Sequence, residues 1–63
     1  MSWHRFKIGQ TVQYDPPRGF RAPSGTYVVT AVLPERDGRF EYRIKHSTEP
    51  HERLAKEDEL RAS

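Results

Sequence analysis

Residues 26–45 constrain this chain more than any other stretch. Thr26-Tyr27-Val28-Val29-Thr30-Ala31-Val32-Leu33 is a dense run of β-branched and aromatic residues. Asp37-Gly38 supplies a turn, and Phe40-Glu41-Tyr42-Arg43-Ile44-Lys45 then alternates apolar with charged. Strand, tight turn and strand make a β-hairpin. The first strand is apolar on both parities, with Tyr27, Val29, Ala31 and Leu33 on one side and Val28 and Val32 on the other. Such a strand is expected to be central or part of a covered wall. The second strand is two-faced: Phe40, Tyr42 and Ile44 are expected inside, Glu41, Arg43 and Lys45 outside.

A second amphipathic segment precedes the hairpin. Phe6, Ile8, Val12 and Tyr14 share one parity, while Lys7, Thr11 and Gln13 take the other, so residues 6–14 read as a half-buried strand. Gly9 interrupts it and is expected at a bend or bulge. The main core is expected from Ile8, Val12, Val29, Leu33, Tyr42 and Ile44. Residues 15–25, with three prolines and two glycines, form a loop that is long for a domain of this size. Beyond the polar connection at 46–50, the composition of Glu52–Arg61 suits a helix. Its apolar residues, Leu54, Ala55 and Leu60, do not make a helical stripe. The pattern favours a short strand at Arg53–Lys56 and a tight helical turn at Glu57–Leu60 that sets Leu60 onto the core.

At 63 residues the chain is one small domain, and with no cysteine it has neither disulfide nor thiolate metal site. It lacks the apolar run of a secretory signal or a membrane span, so the expectation is a soluble cytoplasmic protein without membrane partners. Residues 1–48 hold eight Lys/Arg against four Asp/Glu, and residues 49–63 hold three against five. A mildly basic body with an acidic tail is compatible with nucleic acid but lacks the dense positive footprint of a dedicated binder.

Order and spacing carry a resemblance. Phe6-x-x-Gly9-x-x-Val12, Gly25-x-Tyr27-x-Val29, Tyr42-Arg43-Ile44-Lys45 and Glu52-Arg53-Leu54-Ala55-x-Glu57-x-x-Leu60 together resemble small bacterial SH3-like barrel domains. They are similar in particular to short bacterial proteins made of that barrel alone. The resemblance implies an all-β, five-stranded, strongly bent barrel over residues 6–60, with a short helical turn near the C-terminus. Residues 1–5 are then a flexible arm and 61–63 a tail. It also implies a shallow groove between the loop after the first strand and the following hairpin. The acidic first loop and mid-chain tryptophan of peptide-binding SH3 domains are missing, so polyproline recognition is not carried over.

Arg18, Phe20 and Arg21 place a large ring between two guanidiniums on the long loop, the composition of a recognition surface. The alternative is that Phe20 folds back to plug one end of the barrel. Arg43 and Lys45 point outward from one strand and, with Arg39, make a short basic row that suits a phosphate backbone or simply a solvated face. Trp3, His4, Arg5 and Lys7 form an aromatic-basic arm, expected to fray. His46 and His51, with Glu49 and Glu52 nearby, lack the further ligand a metal site needs. No nucleophile elbow or phosphate loop is present, and a barrel this small offers little room for a substrate pocket of about 300–1,000 Å³.

The expected function is therefore a non-enzymatic, cofactor-free binding module, expected as a monomer, that meets a protein through Tyr14, Arg18, Phe20 and Arg21 with the adjacent sheet face. The alternative is a small barrel that binds RNA or DNA weakly through Arg39, Arg43, Lys45, Arg18 and Phe20. A third reading is an assembly subunit whose strand edges pair between chains.

Overall fold

The computed structural model describes residues 4–63. Five strands form one antiparallel sheet: β1 (Thr11–Tyr14), β2 (Gly25–Val32), β3 (Glu41–Lys45), β4 (Glu52–Lys56) and β5 (Leu60–Ala62). Their order across the sheet is β4-β3-β2-β1-β5. A single turn of 3-10 helix, η1 (Glu57–Glu59), joins β4 to β5.

That short joint bends the sheet. β4 and β5 lie at opposite edges, four strand spacings apart, or about 19 Å if the sheet were flat. Only Glu57–Glu59 separate them in sequence, and the step from Lys56 to Leu60 spans at most about 14 Å. The sheet therefore curls until these edges approach at η1. No ladder pairs β4 with β5 among the described residues.

The hairpin turn forms as the sequence dictates. Asp37 and Gly38 take φ of 53° and 75°, and Arg36 and Arg39 exchange backbone hydrogen bonds of 3.0 and 2.8 Å. Two positive φ values in a two-residue connection match the right-handed twist of the flanking strands, and Asp-Gly accepts them at little cost. Residues 53–60 are strand plus helical turn, and Leu60 lands in the core at 3% exposure.

The apolar run of β2 has a local cause. The β2–β3 register shifts between Val29 and Ala31, leaving Thr30 as a bulge. Val29 pairs with Ile44 and Val32 with Tyr42, so the inward parity switches from odd to even across the bulge. Tyr27 and Val29 face the core before it, Val32 packs against the core after it, and Val28 stays outside. The Thr30 hydroxyl donates to the Arg43 carbonyl at 3.2 Å. One bulged strand, rather than a strand covered on both faces, accounts for the apolar residues on both parities.

The start of the chain departs from the expected strand. Lys7–Gln10 is a turn, closed by the Gln10 N–H donating to the Lys7 carbonyl at 3.0 Å, with Gly9 at φ 90°. That geometry is open to glycine and throws Ile8 outward. Ile8 is 67% exposed and not a core residue. Leu33, also expected in the main core, is half-buried. The core is Phe6, Val12, Tyr14, Tyr27, Val29, Tyr42, Ile44, Ala55 and Leu60.

Of the expected N-terminal arm, Trp3 lies outside the described residues. The His4 Nε2–H donates to the Leu33 carbonyl at 2.6 Å, and its ring meets Phe40 edge-on at 4.8 Å. The Arg5 N–H reaches the Tyr42 hydroxyl at 3.1 Å and Glu57 Oε2 at 3.0 Å.

Candidate functional site

The β1–β2 loop is built in two parts. Its tip is the turn Pro17–Phe20, where the Phe20 N–H donates to the Pro17 carbonyl at 3.0 Å and Gly19 takes φ of 91°. Its returning limb is fastened to the sheet. The Tyr27 hydroxyl donates to the Pro23 carbonyl at 2.6 Å, Arg53 Nη2 of β4 donates to the Arg21 carbonyl at 3.3 Å, and Ala22 packs against the core.

Arg53 is itself held. Its Nε and Nη2 donate to Glu49 Oε1 and Oε2 at 2.8 and 2.5 Å, a bidentate pair with the carboxylate in the preceding connection. This guanidinium keeps the Glu49 carboxyl below the usual carboxylate range, and Glu49 raises Arg53 in turn. His51 Nε2 stands 3.5 Å from Glu49 Oε2, and the His46 ring meets Tyr27 edge-on at 5.0 Å. Both histidines thus lie beside the strap that fixes the loop, and the described residues hold no group of three or more ligands suited to a metal.

With the limb fastened, the tip overhangs the sheet. Phe20 is 63% exposed, so it does not fold back as a plug on the core. It faces a groove of about 230 Å³ lined by Tyr14, Pro17, Phe20, Glu41, Leu54, Ala55, Lys56 and Glu59. Leu54, also in the lining, is 57% exposed. Leu54 lies directly across from Arg43 in the β3–β4 register, and Arg43 across from Ala31, so the three share one row on the outer face. Lys45 occupies the next row, between Val28 and Glu52.

A second, larger hollow of about 410 Å³ adjoins the groove through Lys56. Gly38, Arg39 and Phe40 of the hairpin and Lys56, Glu57 and Asp58 line it. Its walls are mainly charged, and Phe40, its one apolar side chain, is half-buried against the core.

The expected site residues thus separate. Tyr14 and Phe20 meet in the groove, and Arg43 borders it through Leu54. Arg18 and Arg21 flank Phe20 on the exposed loop. Arg39 belongs to the larger hollow, and Lys45 stands a row away. The basic row is therefore interrupted, with Glu41 and Glu52 on the same outer face. No protein-family model matches this chain, and neither do any of the curated proteins or solved structures compared with it.

Leu54, Glu59 and Pro17 were not singled out from sequence as site residues. Leu54 had a signal: once Arg53–Lys56 is a strand and Ala55 faces inward, Leu54 must face out. Glu59 had none, because its place depends on how η1 turns.

Proposed function

We propose that this chain is a non-enzymatic binding module, a small SH3-like barrel that engages a partner protein through the 15–25 loop and the adjoining face of β3 and β4. One observation carries the reading. Of the three large apolar side chains more than half exposed among the described residues, Ile8 sits on the N-terminal turn, while the other two, Phe20 and Leu54, line one groove. A loop fastened at Arg21 and Pro23 but free at Phe20 presents that ring without losing much order on binding, which favours affinity. Arg18 and Arg21 stand beside it, suited to acidic groups at a partner's rim.

The test is a tagged pull-down from lysate, with and without nuclease, comparing the wild type with Phe20→Ser, Leu54→Ser and the control Glu35→Ala. Proteins enriched by wild type and control, insensitive to nuclease and lost with both groove variants, are expected. A set unchanged by both variants overturns the groove. A set that vanishes with nuclease and depends on Arg39, Arg43 and Lys45 replaces the reading with nucleic-acid binding.

A further inference from the structure

The walls of the Phe20–Leu54 groove are apolar, but its floor is not. Tyr14 is 3% exposed, and its ring packs edge-on against Tyr27 at 5.2 Å, so the core holds it in place. Its hydroxyl makes no hydrogen bond among the described residues. Every fully buried side-chain nitrogen or oxygen there has a partner, so this hydroxyl is not sealed in. A ring buried on all sides with one open polar atom, in a residue lining the groove, directs that atom into the groove. Burial, and then the charge of Glu59, raise its pKa, so it keeps its proton and remains a donor at neutral pH.

Glu59 lines the same groove. Its Oε1 accepts the Lys56 N–H at 2.8 Å, which fixes the carboxylate and leaves Oε2 without a partner among the described residues. Glu41 lines the groove too, directly across from Lys56 in the register. Two carboxylates against one ammonium make the lining of the groove net acidic. Such a floor repels phosphate and attracts a cation. The basic residues of the loop lie outside it.

We propose that the groove takes an extended peptide segment of a partner protein in which an aliphatic or aromatic residue neighbours a lysine or arginine. The apolar side chain packs between Pro17, Phe20 and Leu54. A backbone carbonyl of the segment accepts from the Tyr14 hydroxyl, and the neighbouring cation meets the Glu59 carboxylate, with Glu41 adding to the field. This rests on the groove being the binding surface, and it adds what the groove selects.

The experiment is a selection from a random peptide library displayed on phage, run on four forms of the full chain. These are the wild type, Phe20→Ser with Leu54→Ser, Glu59→Gln and Tyr14→Phe. Glutamine keeps the acceptor for the Lys56 N–H, and phenylalanine keeps the buried ring, so both single variants retain the fold. Wild type should select sequences pairing an apolar residue with a lysine or arginine, and the double groove variant should not bind them. Glu59→Gln should lose the enrichment in basic residues and bind the wild-type peptides roughly fivefold to tenfold more weakly. Tyr14→Phe should weaken them about threefold to tenfold with the charge preference intact. Peptides that need Phe20 and Leu54 but show no basic preference, or keep it in Glu59→Gln, overturn the proposed partner chemistry and leave the groove standing. An empty selection, or peptides indifferent to the double variant, overturns the groove and this proposal with it.

Discussion

Tyr14 and Tyr42 are two buried tyrosines in opposite situations. Tyr42 is fully buried, and its hydroxyl is saturated: it donates to Glu57 Oε2 and accepts the Arg5 and Phe6 N–H groups at 3.1 and 3.4 Å. Around it, His4 and Phe6 meet the ring edge-on at 5.3 and 5.5 Å. Tyr14 has the same buried ring, but its hydroxyl opens into the groove without a partner among the described residues. One end of the curled sheet spends its phenol on tying the N-terminal segment to η1. The other holds a donor ready beside exposed apolar walls. The core thus fixes both rings, but only the Tyr42 hydroxyl is used by the fold among the described residues.

Alkaline titration should break the comparison most strongly. Burial, and then the hydrogen bond to Glu57, push the Tyr42 pKa from 10.0 up to about 12. A phenol whose folded-state pKa is raised stabilises the fold fully below the unfolded value and loses that contribution as pH rises through the folded one. Denaturant unfolding followed across this range should show stability falling between pH 10 and about 12. A Tyr42→Phe variant should lose much of that dependence. An unchanged pH profile in the variant would remove Tyr42 as its source.

At neutral pH, Tyr42→Phe should cost about 2 kcal/mol, because it strips a donor from Glu57 and an acceptor from the Arg5 and Phe6 N–H groups. Chemical denaturation measures this directly. A cost below about 0.5 kcal/mol would mean that the hydroxyl cluster holds nothing together.

A smaller and more local effect is expected from the strap. Arg53→Gln removes the bidentate pair with Glu49 and the bond to the Arg21 carbonyl. Hydrogen exchange at the amides of Phe20, Arg21, Ala22 and Ser24 should quicken by roughly tenfold, with the β2–β3 amides unchanged. Uniform acceleration would show that Arg53 supports the whole sheet rather than the loop.

What could be read in advance divides along the same line. Asp37-Gly38 fixed a hairpin because local backbone preference alone decides it. The strand and turn at 53–60 were legible because Leu54, Ala55 and Leu60 fit no helical stripe. Ile8 misled because a turn centred on Ile8 and Gly9 imitates strand parity for a few residues. Val28 and Val32 misled because the bulge at Thr30, set by tertiary register, switches the inward parity partway along β2, and an apolar run on both parities reads equally as a strand covered on both faces. Of the groove, Tyr14 and Phe20 were legible as unusual residues next to a long loop. The carboxylates and Leu54 that give it shape and sign come from β3, β4 and η1, and only folding brings them there.

The smallest expected effect is the most direct test. Tyr14→Phe keeps the ring, its packing on Tyr27 and every hydrogen bond of the described fold. Its unfolding free energy, measured by denaturant titration beside Tyr42→Phe, should stay within about 0.5 kcal/mol of wild type. A loss as large as that of Tyr42→Phe would mean that the Tyr14 hydroxyl serves the fold, and the claim that it is held free for a partner would fall.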